Sequence, residues 1–359
     1  MRYNRFHPGT DPEAASGADM GLAAGYLPWP HYGEKGATLR ALITGAGGFV
    51  GTHLCTYLLT HTDWELVGTV YPEPVDVRPP EPRLRLVHLD LRDQAAVQAL
   101  IDETWPDFIV HLAAQSFVPS SFADPWDTLE NNIRSELNVL ETLRRSGCQA
   151  RVLVIGSNEE YGAPRPDELP QTEESPLRPN NPYAVSKVAQ DFMGLQYHLA
   201  YGMPVIRVRP FNHTGPGQSP RFVVPAFASQ IARIEAGQQP PVIKVGNLEA
   251  SRDFTDVRDI VRAYYLAITR GEPGEVYNLA SGQPRSIRYV LEVLLGYAQV
   301  EVCVETDPQL YRPVDVPVVY GSAAKFHNLT GWQPEIPFEQ TLRDTLDYWR
   351  AQMQKRQEV

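Results

Sequence analysis

The chain has 359 residues, 43% of them hydrophobic, and a formal net charge of -11 at pH 7 with a pI near 5.3. That length supplies one large domain or two closely joined ones; no apolar run reaches the ~18 residues of a membrane span, and the acidic balance excludes a broad nucleic-acid surface while leaving room for a local basic pocket. Its three cysteines, Cys55, Cys148 and Cys303, have neither zinc-site spacing nor an even disulfide framework, so they read as reduced thiols of a cytoplasmic protein.

Residues 1–38 are rich in Gly, Pro and Ala without apolar periodicity and are expected to stay outside the fold as a disordered extension; they lack the apolar core of a signal peptide. Ordered structure is expected from residue 39, where a short apolar strand runs into Gly45, Gly48 and Gly51 and then a helix to about residue 59. Glycines so spaced permit a tight turn, close approach to a pyrophosphate and close helix packing, while the helix N-terminus offers amides and positive potential. The pattern points to a dinucleotide lying against Gly45, Gly48, Phe49, Val50 and Gly51.

Strands are expected at residues 64–70, 84–89 and 108–112, with a helix at 94–103. Such alternation gives an α/β protein with a doubly wound parallel sheet. The second strand ends in Thr69-Val70-Tyr71, without the carboxylate that would hold the ribose hydroxyls of NAD, whereas Arg78 and Arg83 follow in a Pro-rich loop. This gives a slight preference for NADP(H) over NAD(H). Asp90 and Leu91 end the third strand where adenine would lie; the blander role for Asp90 is to cap the helix starting near Gln94. Leu112, Ala113 and Ala114 end the fourth strand and are small enough to let the backbone pass close to a cofactor.

Helical patterns at residues 125–145 and 181–201 suit an interface with a second copy of the chain, a homodimer. Between them a strand at 151–156 delivers Ser157, Glu159 and Glu160 at its carboxyl end, where ligands bind in such sheets. Tyr183 and Lys187 are four residues apart, so a helix sets an ammonium beside a phenol of ordinary pKa ~10 and favours the phenolate. Tyr-x-x-x-Lys recurs by chance on amphipathic helices; the glycine turn and Ser157 upstream give it weight. After residues 205–209 the chain becomes irregular at Pro210 to Gln218, and a second, smaller lobe is expected. The first lobe comprises residues 39–210, rejoined by about 255–284; the second comprises 211–254 and 285–359.

Taken together, Gly45-x-x-Gly48-x-x-Gly51, Ser157, Tyr183-x-x-x-Lys187 and a C-terminal lobe resemble the extended short-chain dehydrogenase/reductases that act on nucleotide sugars. Within that group, Ile155-Gly156-Ser157 with Glu159-Glu160-Tyr161-Gly162, Phe211-Asn212-His213 with Gly215-Pro216-Gly217-Gln218, and Val245 to Ala250 with Arg252-Asp253-Phe254 look like GDP-6-deoxy-mannose reductases. GDP-mannose 4,6-dehydratases are similar too, but usually carry Gln-Asp-Gly where this chain has Gly48-Phe49-Val50, and Arg-Asp-Trp-Gly where it has Arg252-Asp253-Phe254-Thr255.

The resemblance implies a Rossmann domain with a smaller α/β C-terminal substrate lobe, and reduction of the C4 ketone of GDP-4-keto-6-deoxy-mannose by NAD(P)H, giving GDP-rhamnose or its C4 epimer. In that scheme Tyr183 protonates the alkoxide, Lys187 lowers the Tyr183 pKa and holds the nicotinamide ribose, and Ser157 donates a hydrogen bond to the carbonyl oxygen. Glu159 matches the base of the dehydratases but is also present in the reductases. Asn212, Arg252 and Arg312 are carried over to the diphosphate and guanosine, with Asp315 standing where many relatives have Glu. Asn132 matches a family position near the active site, followed by Arg134-Ser135-Glu136 where relatives usually have Gly-Thr. Neither a nucleic acid nor a membrane is implied as a partner. A dehydratase or epimerase of the same fold, and a non-catalytic NAD(P)-sensing protein, remain as alternatives.

Overall fold

The computed structural model describes residues 38–72, 81–310 and 316–357. Nearly all of the N-terminal extension, together with Arg78, Arg312 and Asp315, lies outside the described residues. In chain order the first half contains β1 (Arg40–Thr44), α1 (Phe49–His61), β2 (Glu65–Val70), β3 (Leu84–His88), α2 (Gln94–Thr104), β4 (Phe108–His111), α3 (Val118–Ala123), α4 (Pro125–Ser146), β5 (Arg151–Ile155), α5 (Pro182–Tyr201) and β6 (Val205–Pro210). There follow β7 (Asn212–Thr214), α6 (Val223–Glu235), β8 (Val242–Val245), β9 (Ser251–Asp256), α7 (Val257–Arg270), β10 (Val276–Leu279), β11 (Pro284–Ser286), α8 (Ile287–Gly296), β12 (Cys303–Thr306), β13 (Val318–Val319), α9 (Ala324–Thr330) and α10 (Phe338–Gln357).

Seven strands make one sheet in the order β10-β6-β5-β4-β1-β2-β3, and every pairing in it is parallel. Strands β4, β5 and β6 are buried at every residue, as central parallel strands covered on both faces must be, whereas the edge strand β3 has no fully buried residue. The period-two alternation of β1 splits its side chains between two cores. Ala41 and Ile43 join Leu54, Leu58, Val261 and Tyr264 on the α1 and α7 face, while Leu42 joins Leu100, Leu140 and Tyr197 on the α2, α4 and α5 face.

Local chemistry sets the helix ends. Asp93 accepts from the Ala95 and Ala96 amides at the start of α2. Asn181 accepts from the Ala184 amide ahead of Pro182 at the start of α5, and left-handed Gly147 and Gly202 end α4 and α5.

A third core lies in the later chain, where Phe227, Ile231, Phe254, Leu291, Leu294, Leu342 and Leu346 pack together from α6, β9, α8 and α10. Strand β9 pairs with β7, β11 and β13, and β8 pairs with β12. The residue after β9, Val257, already belongs to the core under the seven-stranded sheet, so β9 to α7 is where the chain returns to that sheet. Two elements depart from the sequence reading. Helix α3 has only six residues with Pro119 in its first turn, too short for a periodic signal. Strand β7 forms in the Pro- and Gly-rich stretch after β6 because β9 supplies its partner. Among the described residues no helix is long and apolar enough to cross a membrane.

Candidate active site

The sheet order reverses at β1, which has β2 on one side and β4 on the other. In open α/β sheets the crevice beyond such a reversal is the binding position. Gly45 sits there in the left-handed region (φ 68°), and a Cβ on it would stand 3.0 Å from the Ala113 backbone. At Gly51 a Cβ would stand 2.3 Å from the Gly45 carbonyl oxygen, so α1 packs directly on the turn. Helix α1 starts at Gly48 with no side-chain cap. Its first-turn amides therefore have no side-chain acceptor, and with the glycine cradle they fit a pyrophosphate. The Gly45 amide donates to Thr69 Oγ1 (3.2 Å), and the Ala113 amide to Thr44 Oγ1 (3.2 Å). The turn and the end of β4, where Leu112, Ala113 and Ala114 follow, are thus tied together. His111 Nδ1 lies 3.0 Å from Thr44 Oγ1, and burial pulls this imidazole down to about 3, keeping it neutral.

The adenosine end differs from expectation. Arg83 does not present its guanidinium for a 2′-phosphate: it donates to the Leu59 and Thr62 carbonyls, closing the C-terminus of α1. Asp90 does not cap α2, since Asp93 does. It is instead held by Arg92, whose Nε and Nη2 donate at 3.0 and 2.7 Å, and this hydrogen bonding keeps its carboxyl below the usual carboxylate range. Arg92 also donates to Tyr71 Oη (3.3 Å) and lies 5.8 Å from its ring centroid. The cation beside the end of β2 is therefore Arg92, which the sequence reading missed. Its signal was present as an arginine two residues beyond Asp90 at the end of the neighbouring strand.

At the end of β5, Ser157 opens a short helical turn: its Oγ accepts from the Glu159 amide (3.2 Å) and its own amide donates to Glu160 Oε1 (2.7 Å). Tyr183 and Lys187, one turn apart on α5, are both buried. Ser157, Tyr183 and Lys187 converge, the Ser157 hydroxyl hydrogen bonding toward the phenol and drawing its pKa down. Burial nevertheless wins and raises the phenol above its ordinary value, with Glu159 and Glu160 adding to the rise. Lys187 Nζ donates to the Ile155 carbonyl (2.8 Å) and lies 6.0 Å from the Tyr183 ring centroid. The expected lowering of Tyr183 by Lys187 is absent: the Lys187 ammonium is turned to a strand carbonyl, and burial sets the direction of the phenol's shift. Burial also pulls Lys187 down, to about 8, against the raising effect of Glu136 and Glu160.

Glu159 accepts from Asn181 Nδ2 (2.9 Å), the residue that caps α5, so it stands at the start of that helix. Asn132 is fully buried between α4 and α5, accepting from the Gln115 amide (2.7 Å) and donating to Ser186 Oγ (2.9 Å). Asn212 starts β7, and its buried Oδ1 has no hydrogen-bond partner among the described residues. The segment around it reaches the glycine turn: His213 stacks on Phe49 at 6.4 Å, and His53 Nε2 lies 2.8 Å from the Pro216 carbonyl oxygen. Arg252 donates to the carbonyls of Ser251 (2.9 Å) and Val316 (2.7 Å), tying β9 to the stretch that leads into β13.

This arrangement has known counterparts. The family model for GDP-mannose 4,6 dehydratase matches residues 42–345. The GDP-6-deoxy-D-mannose reductase of Pseudomonas aeruginosa is 40% identical over 89% of this chain and 99% of its own. Among solved structures, RMD from Pseudomonas aeruginosa complexed with NADPH superposes with a TM-score of 0.78 at 40% identity, covering 88% of this chain and all of that one. The UDP-glucose 4-epimerase of Thermus thermophilus in complex with NAD does so with a TM-score of 0.78 at 28% identity, covering 87% of this chain and 99% of that one. With the glycine turn, the Ser-Tyr-Lys cluster and matches spanning nearly all of the described fold, the chain belongs to the GDP-mannose 4,6 dehydratase family of extended short-chain dehydrogenase/reductases.

Proposed function

We propose that this protein reduces the C4 ketone of GDP-4-keto-6-deoxy-D-mannose at the expense of NAD(P)H, giving GDP-D-rhamnose (GDP-6-deoxy-D-mannose) or its C4 epimer. The observation that carries this reading is the convergence of Ser157, Tyr183 and Lys187 at the end of β5. A reductase needs a proton donor for the alkoxide, and the Tyr183 phenol beside the Ser157 hydroxyl supplies it. Full-length similarity to the Pseudomonas reductase supports the same direction. A nicotinamide cofactor, when bound, supplies the hydride.

The amides of Phe49, Val50 and Gly51, with Gly45 and Gly48, hold the pyrophosphate, while Asp90 and Leu91 border adenine and Leu112, Ala113 and Ala114 line the passage between. Lys187 holds the nicotinamide ribose, Ser157 donates to the ketone oxygen, and Tyr183 delivers the proton. Asn212 and Arg252, with Arg312 and Asp315, take the guanosine diphosphate. In this scheme residues 39–210 with about 255–284 form the cofactor domain. Residues 211–254 and 285–359 form the nucleotide-sugar lobe, a division that the separate core of α6, α8 and α10 supports.

The cofactor of choice is NADP(H), through Arg92. A charge-assisted contact is worth about 1.5–3 kcal/mol, so Arg92→Ala is expected to raise the KM for NADPH roughly 10- to 100-fold while changing that for NADH little. Equal effects on both cofactors would return Arg92 to a purely structural clamp on Asp90. The working form is a cytoplasmic homodimer joined through α4 and α5. Their outer faces leave Leu137, Val185, Phe192 and Leu199 exposed, and Phe192, Leu195, Leu199 and Ala200 line an apolar groove.

A dehydratase is the second reading, favoured by the family model and by Glu159, which Asn181 positions beside Tyr183. Cofactor economy separates the two. A reductase supplied with the 4-keto sugar and NADPH consumes one cofactor per alcohol formed, read as loss of reduced-nicotinamide absorbance against product by NMR. Conversion of GDP-mannose to the keto sugar with no net cofactor change, and no reduction of the keto sugar, would replace this reading with the dehydratase and make Glu159 the C5 base.

A further inference from the structure

The glycine turn and the segment that begins with Asn212 are joined by side chains the reaction scheme leaves unused. Phe49 opens α1, and His53 stands one turn further along the same helix. Residues 212–218 lie against both. The His213 ring is parallel to that of Phe49 (10°, centroids 6.4 Å apart), and the Phe49 and His53 rings meet at 83° and 5.4 Å. His53 Nε2 donates to the Pro216 carbonyl (2.8 Å), which, being only an acceptor, places the proton on that nitrogen.

The 212–218 segment is closed on itself. Thr214 Oγ1 donates to Gln218 Oε1 (2.7 Å), Gln218 Nε2 to the His213 carbonyl (3.2 Å), and the Gln218 amide to the Gly215 carbonyl (3.3 Å). Thr214 and Gln218 are buried, and a Cβ on Gly215 would stand 2.8 Å from Val257 Cγ1. Burial pulls the His213 imidazole below its ordinary value, and in the neutral ring Nδ1 donates to the Phe211 carbonyl (3.1 Å). A hold on Pro216 is therefore also a hold on His213 and on Asn212 beside it. Asn212 pairs in register with Phe254 of β9, the strand that carries Arg252, so both residues assigned to the sugar nucleotide hang from this unit.

We propose that His53 is a positioning residue that couples the cofactor site to the nucleotide-sugar site. Helix α1 begins with no side-chain acceptor for its first-turn amides, and donating them to a pyrophosphate fixes that turn. Phe49 and His53 are fixed with it. His53 then holds Pro216, and Asn212 is aimed before the sugar nucleotide arrives. The entropy of ordering residues 212–218 falls on the first ligand, so the second binds more tightly. Such coupling is reciprocal: once the product leaves, the hold on the oxidised cofactor weakens, as a reductase that exchanges its cofactor every turnover requires.

The inference rests on the assignment of Asn212 and Arg252 to the nucleotide sugar, and its test separates the two. In the wild-type protein, saturating NADP+ is expected to tighten the binding of GDP, titrated calorimetrically, by a factor on the order of 5 to 150. His53→Phe keeps a ring against Phe49 but removes the hydrogen bond, so the factor should fall to within about twofold of unity. His53→Gln, whose amide donates to Pro216, should recover much of it. Amide hydrogen exchange reads the link without a sugar nucleotide. NADP+ alone should slow exchange in residues 212–218 and in the glycine turn at 45–51; in His53→Phe the turn should stay protected while 212–218 does not. A merely structural His53 would lower the melting temperature and leave both the affinity ratio and this exchange pattern unchanged. Equal GDP affinity with and without NADP+ in the wild-type protein, or protection of 212–218 that survives in His53→Phe, overturns the inference. Protection that depends on His53 in a protein that binds no GDP refutes the nucleotide-sugar reading and leaves the link from cofactor to segment standing. Should His53→Phe not fold, His53→Asn, whose amide falls short of Pro216, takes its place, and a wild-type segment that NADP+ leaves unprotected overturns the inference by itself.

Discussion

Tyr183→Phe is expected to lower kcat by about 10²- to 10⁴-fold, the range for loss of a positioned proton donor. The phenyl ring keeps the buried packing of Tyr183 and removes only the hydroxyl that Ser157 faces, so the fold should persist. Lys187 is anchored on the Ile155 carbonyl independently of the phenol, and the glycine turn lies on different elements, so cofactor affinity should change little. The prediction is therefore a fall in kcat with KM for NADPH and the melting temperature nearly constant. Activity within about threefold of wild type would remove Tyr183 as the donor and shift attention to Glu159, a carboxyl that Asn181 holds at the start of the same helix.

The parts of this fold legible in the sequence are those where one local rule decides the outcome. Apolar runs bounded by Gly, Asp or Pro fall at β1 to β6 and β10, and the Asn181-Pro182 start and Gly202 end of α5 are written in adjacent residues. The convergence of Ser157, Tyr183 and Lys187 was legible because helix spacing and the carboxyl end of a parallel strand are themselves geometric statements. What stayed hidden depends on contacts distant in sequence. β7 needs β9, more than thirty residues away, to be a strand. Arg83 looked free for a phosphate until α1 presented it with the carbonyls of Leu59 and Thr62. The direction of the Tyr183 shift was misread because the Tyr-x-x-x-Lys spacing reports a neighbouring charge but carries no measure of how dry the site is. Glu136 shows the same limit, since nothing in a helical pattern of charged residues marks which one faces inward.

Asp191→Ala should cost about 3–5 kcal/mol of stability, the penalty typical of leaving a buried charge without its partner. Asp191 is 1% exposed and accepts from Arg207 Nη1 (2.7 Å) through one oxygen and from Arg209 Nε (2.8 Å) through the other. Arg209 also pairs with Glu160 at 3.0 Å and donates to Tyr161 Oη (3.2 Å), so two guanidiniums and two carboxyls are closed in together beneath the active site. Removing Asp191 leaves Arg209 to Glu160 and Tyr161, and leaves Arg207 with the Gly274 carbonyl and, among the described residues, no carboxylate. Glu160 is held above the usual carboxylate range by burial and by Asp191, so loss of Asp191 removes one of those influences, strengthens its pairing with Arg209 and offsets part of the deficit. That response reaches the chemistry, because Glu160 Oε1 accepts from the Ser157 amide and sets the turn that carries the serine hydroxyl. The expected result is a lower denaturant midpoint at unchanged m-value, together with a fall in kcat larger than any change in KM for NADPH. Asp191→Asn, which keeps an oxygen acceptor and the volume, should lose less of both. A stability loss below about 1 kcal/mol for Asp191→Ala would show that water or rearranged side chains satisfy the two arginines, and the link from this buried cluster to Ser157 would fall with it.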